Sequence, residues 1–149
     1  MNKPENIRLS LDEIHEQSEK DLRLEKDQLV VESLKTPTLF SKYSKMLSVE
    51  RLILKKLNIE LETKEKETWE YYKGKAEPEI YKEKPFGHKV MKADMDRYIK
   101  IDPEIVKLKV KIALVEEKVD TIIRILKEVS NRQWIIRNAN ETNKFEAGL

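Results

Sequence analysis

The clearest order in the chain is a spacing. Ile105, Leu108, Ile112, Val115, Val119, Ile122, Leu126 and Val129 recur three and four positions apart for more than three heptads, and Ile136 falls back in phase after Gln133. That period belongs to a helix with one continuous apolar seam, as in coiled coils and helical bundles. Asp102-Pro103 precedes it, a capping carboxylate followed by a proline at the first helical position, where a missing amide costs nothing. The spacing predicts a helix over 103–137. A second set, Val106, Val110, Ala113 and Leu114, widens the apolar surface near its start and implies more than one neighbour. Asn138, Asn140 and Asn143 weaken helical propensity, so 138–149 reads as a polar C-terminal segment.

Upstream, Tyr43, Leu47, Leu54, Leu57, Leu61 and Tyr72 fall within roughly 80° of one another on a helical wheel, which predicts a second long helix over 39–73. Before it, Ser10-Leu11-Asp12-Glu13 has the spacing of a capping box, and Leu11, Ile14, Leu22, Leu29 and Leu34 trace a thin apolar stripe over 10–35. The stripe has polar gaps and the segment is acidic, which suits a helix loosely docked or ordered by a partner. Thr36-Pro37-Thr38 is expected to end it, since the residue before a proline is driven out of helical geometry. Between the two long helices, Gly74, Pro78, Pro85 and Gly87 punctuate an irregular, partly extended arm over 75–101, with room for short strands at 79–81 and 97–101.

Composition sharpens this picture. Of 149 residues, 39% are charged, 39% hydrophobic and 7% aromatic, with only three glycines and five prolines. So few turn residues argue against sheets and barrels, and so many charges leave little apolar material to fill a globule alone. The expected fold is therefore mainly α, a single domain of long amphipathic helices closed by self-association. The seam from Ile105 to Val129 is the expected oligomerisation surface; a helical hairpin within one chain is the competing explanation. There is no cysteine, hence no disulfide, thiolate metal site or thiol nucleophile. The start of the chain lacks the apolar core of a signal peptide, and no run approaches a membrane span.

The net charge of +2 conceals an uneven distribution. Residues 1–38 carry six basic and nine acidic side chains, whereas 39–75 carry nine basic and six acidic. On the second long helix Arg51, Lys55, Lys66 and Lys73 cluster within roughly 60°, with Trp69 at the edge of the stripe and Tyr71, Tyr72 and Lys75 at the helix end. Cations that neutralise phosphates beside flat rings that stack on bases are the equipment of a single-strand binder. Glu62 on the same stripe counts against it, and a plain solvated face with Trp69 and Tyr72 in the core is the bland alternative. The arm adds Tyr81, Lys82, Lys84, Phe86, Lys89, Lys92, Arg97 and Tyr98. The candidate nucleic-acid contacts are thus Arg51, Lys55, Lys64, Lys66, Trp69, Tyr71, Lys73, Lys75, Lys89, Lys92 and Arg97.

Enzymatic chemistry finds no foothold. His15 and His88 are far apart in sequence without a metal signature, pairs such as Glu116-Glu117 suit a solvated helix, and no phosphate-cradling glycine motif occurs. No cofactor or metal is expected.

Tyr71-Tyr72-Lys73-Gly74-Lys75, Ala93-Asp94-Met95-Asp96 leading into Ile99-Lys100-Ile101-Asp102, and the ending Lys144-Phe145-Glu146-Ala147-Gly148-Leu149 together resemble the UvsY-like recombination mediators of large tailed bacteriophages. The similarity runs from about Leu11 to the end. It implies a homo-oligomeric ring in the cytoplasm of the infected bacterial host that binds single-stranded DNA without sequence preference. It also implies loading of the RecA-like recombinase UvsX onto strands covered by the phage single-strand-binding protein. Members of that family carry basic residues two apart shortly before the paired tyrosines. Here Lys66 matches the first and Thr68 stands at the second, with Lys64 as a substitute. A coiled-coil adaptor without DNA binding is the alternative that the residues themselves permit.

Overall fold

A computed structural model describes residues 8–149; the first seven, part of the stretch read above as lacking a signal-peptide core, lie outside it. Five α-helices follow one another: α1 Leu11–Leu22, α2 Leu29–Tyr72, α3 Pro78–Glu83, α4 Met95–Ile101 and α5 Pro103–Glu146, with 3-10 turns at Lys26–Gln28 and Lys92–Asp94. The chain divides into two compact units, one joining the residues up to Arg51 with Glu117–Leu149, the other Leu52–Glu116. Each contains part of α2 and part of α5.

In the first unit α1 opens with the predicted capping box: the Glu13 amide donates to Ser10 Oγ at 3.2 Å and the Ser10 amide to Glu13 Oε2 at 2.9 Å. The helix is firmly docked rather than loose. Ile14 is buried in a core with Leu39, Tyr43, Ile122, Ile125 and Val129, and the Asp21 carboxylate accepts from Lys42 Nζ at 2.6 Å and the Tyr43 hydroxyl at 2.8 Å. It also ends earlier than the stripe suggests, at Leu22. A helix end leaves its last carbonyls without partners, and here the buried Arg132 supplies one, donating to the Asp21 carbonyl at 3.2 Å.

The expected break at Pro37 does not occur, because α2 runs through it as one helix of 44 residues. An interior proline removes one backbone hydrogen bond and costs about 3 kcal/mol. Side chains on both flanks hold the helix together there: Leu39 and Tyr43 are core, and Arg132 donates to the Glu32 carbonyl at 2.9 Å, Glu32 Oε2 at 2.8 Å and Thr36 Oγ1 at 3.5 Å. Ion pairs Glu32–Arg132 and Glu50–Lys118 have partner numbers that rise on α2 as they fall on α5, so the two helices are antiparallel in this unit.

The seam of α5 is present, but its partner is not another subunit. Seven of its eight residues from Ile105 to Val129 are buried, and Leu126 half-buried, by the chain's own atoms. Heptad spacing thus reports an intrachain pairing with α2, which corrects the assignment of this seam to oligomerisation. α5 also continues past its asparagines to Glu146, ending where Gly148 takes φ 75° and the Gly148 and Leu149 amides return to the Phe145 and Lys144 carbonyls.

In the second unit the expected extended arm is helical: α3 starts with Pro78 at its first turn and stops before Pro85, and α4 packs through the buried Met95. No strand forms at 79–81 or 97–101. Prolines here delimit short helices instead of preventing them. Antiparallel pairing recurs, with Lys64 bound to Glu104 at 2.6 Å and the Tyr72 hydroxyl to Asp102 Oδ2 at 2.7 Å. Asp102 is the predicted cap, its Oδ1 accepting the Glu104 amide at 3.0 Å. One buried carboxylate thereby starts α5 and holds the end of α2. No helix among the described residues is long and apolar enough to cross a membrane.

Candidate nucleic-acid interface

Separations of eleven and seven residues nearly close whole helical turns, so Lys55, Lys66 and Lys73 share one face of α2, and all three are exposed. Lys55 and Lys73 have no ion-pair partner among the described residues; Lys66 only approaches Glu70, at 3.9 Å. Trp69 stands at the edge of this face, 36% exposed, too open for a core residue. Two ammonium groups lie over its ring, Lys73 Nζ at 5.9 Å and Lys75 Nζ at 5.3 Å from the centroid. Both distances are within reach of a cation–π interaction.

Lys75 reaches the indole because of how α2 ends. Gly74 takes φ 76°, a left-handed conformation that other residues enter only with strain. Its amide bonds to the Tyr71 carbonyl at 3.1 Å and the Lys75 amide to the Glu70 carbonyl at 2.8 Å. This is a Schellman closure. It folds the chain back over its last turn and sets Lys75 above Trp69.

Other candidates are placed differently. Tyr71, expected to stack on bases, is buried: its ring lies 5.4 Å from Tyr81 at 15°, Lys84 Nζ covers it at 5.2 Å, and its hydroxyl donates to the Lys84 carbonyl at 2.9 Å. Burial also raises its phenol pKa. Its role is to organise the end of α2. Lys64 is held by Glu104 and, at 3.6 Å, by Glu67; the hydrogen bond it donates to Glu104 keeps its ammonium above the ordinary lysine range. It is a structural tie rather than a free cation. Lys89, Lys92 and Arg97 are exposed without an ion-pair partner among the described residues, on the segment leading into and forming α4. Arg51 is likewise exposed, but belongs to the first unit.

Behind Tyr71 the aromatic residues of the arm form a nest. Tyr72 meets Tyr71 at 5.1 Å, Phe86 at 5.1 Å and Tyr98 at 5.5 Å, each edge-on. Tyr81 donates its hydroxyl to the Tyr71 carbonyl at 2.7 Å. Burial, followed by the Asp102 carboxylate, raises the Tyr72 pKa far above the ordinary phenol value. The bland reading of the sequence is thus half right: Tyr72 is partly interior, Trp69 is not. Sequence reasoning missed Asp102 as the group that anchors Tyr72, for no local signal ties a helix cap to a residue thirty positions earlier. Among the described residues no three histidine, aspartate or glutamate side chains come together as a metal site.

An exposed indole flanked by two lysines, beside a line of free cations, can hold phosphates electrostatically and stack a base. A crystal structure of the bacteriophage T4 recombination mediator protein UvsY has the same fold, with a TM-score of 0.82 at 18% identity, covering 93% of this chain and 98% of that one. The T4 protein in a second crystal lattice gives 0.80 at 18% identity over 89% of this chain and 98% of that one. No curated protein sequence matches. Residues 17–149 match the family described as recombination, repair and ssDNA binding protein UvsY, and the chain belongs to that family.

Proposed function

We propose that this protein is a recombination mediator that binds and wraps single-stranded DNA without sequence preference and promotes loading of a RecA-like recombinase, the counterpart of UvsX, onto strands covered by single-strand-binding protein. The observation that carries the reading is Trp69, exposed at the end of α2 with Lys73 and Lys75 over its ring. Lys55 and Lys66 extend the cationic face along the helix, with Lys89, Lys92 and Arg97 as further phosphate contacts in the same unit. Contacts of this kind recognise charge and π surface, which every base and phosphate offers, so they favour sequence tolerance.

Few contacts per subunit bind a long strand tightly only when repeated, so assembly belongs to the mechanism. The α5 seam is occupied within the chain, but Val106, Val110 and Leu114 remain 44%, 65% and 52% exposed. Their spacing of four places them along one flank of α5. We assign self-association into a ring to this flank. Light scattering tests it: Val110→Asp or Leu114→Asp lowers the assembled mass while helicity is retained, whereas unchanged mass for both variants refutes the flank.

DNA binding is tested by fluorescence anisotropy of a labelled oligo-dT strand at low and moderate salt. Salt-sensitive binding by the assembled protein is expected. Assembly without affinity for the strand leaves a coiled-coil adaptor.

A further inference from the structure

The second unit contains an open cavity that the cationic face does not use. Its volume is about 350 Å³ and its lining includes Tyr72, Phe86, Tyr98, Ile101, Lys84 and Asp102. That size lies at the low end of small-molecule sites, which run from ~300 to 1,000 Å³. Phe86 and Tyr98 each pack edge-on against Tyr72 rather than against one another, so they stand as separate ring surfaces along the cavity. Tyr98 is 37% exposed.

The polar groups at its floor are already engaged. The Tyr72 hydroxyl is held by one Asp102 oxygen, and the other accepts the Glu104 amide. What the cavity offers a visitor is therefore apolar surface, aromatic rings beside Pro85, Ile101 and Pro103, with the Lys84 side chain in its lining. A planar, π-rich group attached to an anionic chain complements both features. An aliphatic side chain would leave the ring faces without a stacking partner.

We infer that this aromatic cleft receives one unstacked base of the bound strand, with Lys84 beside the adjoining phosphate, as a second base-holding position distinct from Trp69. The inference rests on the proposed single-strand binding. Since the phenol of Tyr72 and the carboxylate of Asp102 are engaged with partners in the chain, the cleft selects for a base over no base more than it selects among bases.

The test uses the full-length protein and two strands of equal length, oligo-dT and an abasic strand with the same phosphates. Wild type is expected to favour oligo-dT by tenfold or more, on the order of one or two stacked bases. Tyr98→Ala reduces that preference severalfold without changing the salt slope, Tyr98→Phe retains it, and Ile101→Trp, filling the mouth from an exposed position, reduces it with the core untouched. Photocrosslinking of wild type to a strand carrying 5-iodouracil gives adducts at Tyr98 or Phe86 as well as at Trp69. A wild-type preference for oligo-dT in Tyr98→Ala and in Ile101→Trp, with adducts at Trp69 alone, overturns the cleft and leaves strand binding intact. Absence of salt-sensitive binding to either strand overturns both.

Discussion

The two units of this chain handle charge in opposite ways. In the first, several ionic groups are interior: Arg132 is 2% exposed and bound by Glu32, Thr36 and the Asp21 carbonyl, while Glu50, nearly inaccessible, pairs with the equally buried Lys118 and with Arg8. In the second, the interior is aromatic, holding or edging six of the chain's ten aromatic residues, and most cations stay in solvent. A basic residue in the first unit is thus often part of the fold, whereas one in the second is available to a ligand. Net charge, near zero, does not separate these uses; burial does. Removing a buried partner leaves an uncompensated charge, but removing a free surface cation leaves only solvent.

The comparison predicts a graded series of effects. Arg132→Ala leaves the buried Glu32 with Lys35 as its remaining cation and removes the bonds to Thr36 and to the Glu32 and Asp21 carbonyls around Pro37, and should destabilise the protein by about 3 kcal/mol in urea unfolding. A loss below 1 kcal/mol would mean that the buried network is not what carries α2 through its proline.

Acid probes the same network. The hydrogen bonds from Lys35 and Arg132 hold the Glu32 carboxyl below the ordinary range despite burial. For Glu50, burial pushes upward but the hydrogen bond from Arg8 and the nearby Lys118 charge outweigh it. Groups with depressed folded-state values stabilise fully above the unfolded glutamate value, ~4.3, and lose that contribution as pH falls through the folded one. Thermal melts should be flat from pH 7 to 5 and drop below about 4.3. Glu50→Gln should begin lower and drop less steeply; a parallel decline would remove Glu50 from the account.

At the boundary between fold and ligand stands Gly74. Gly74→Ala meets no steric obstacle from neighbours but must hold φ 76°, a cost of about 1–2 kcal/mol. If the Schellman turn is what positions Lys75 over Trp69, this variant should weaken strand binding along with stability. Full affinity in a less stable variant would separate the turn from the interface.

Much of this was legible in the chain itself. The α5 seam, the Ser10 capping box and the Asp102 cap follow from local spacing, and Trp69, Lys73 and Lys75 read together because they lie within one helical turn or its closure. What escaped depends on distant partners. Pro37 stays helical because of Arg132, some ninety-five positions away, and Lys64 is engaged by Glu104, forty positions on. The seam's partner was also hidden, since heptad spacing is identical whether the facing helix belongs to the same chain or another. Tyr71 and Tyr72 differ in burial, and only the packing of Tyr81, Phe86 and Tyr98 around them decides which face is inside.

The most direct test of the central claim, that the free cations of the second unit hold phosphates, is the dependence of log affinity on log salt for oligo-dT. Lys73→Ala and Lys75→Ala should each reduce the slope by about 0.7, the value for one phosphate contact on a single strand, with stability unchanged to within about 0.5 kcal/mol. Slopes equal to that of wild type in both variants would contradict the account.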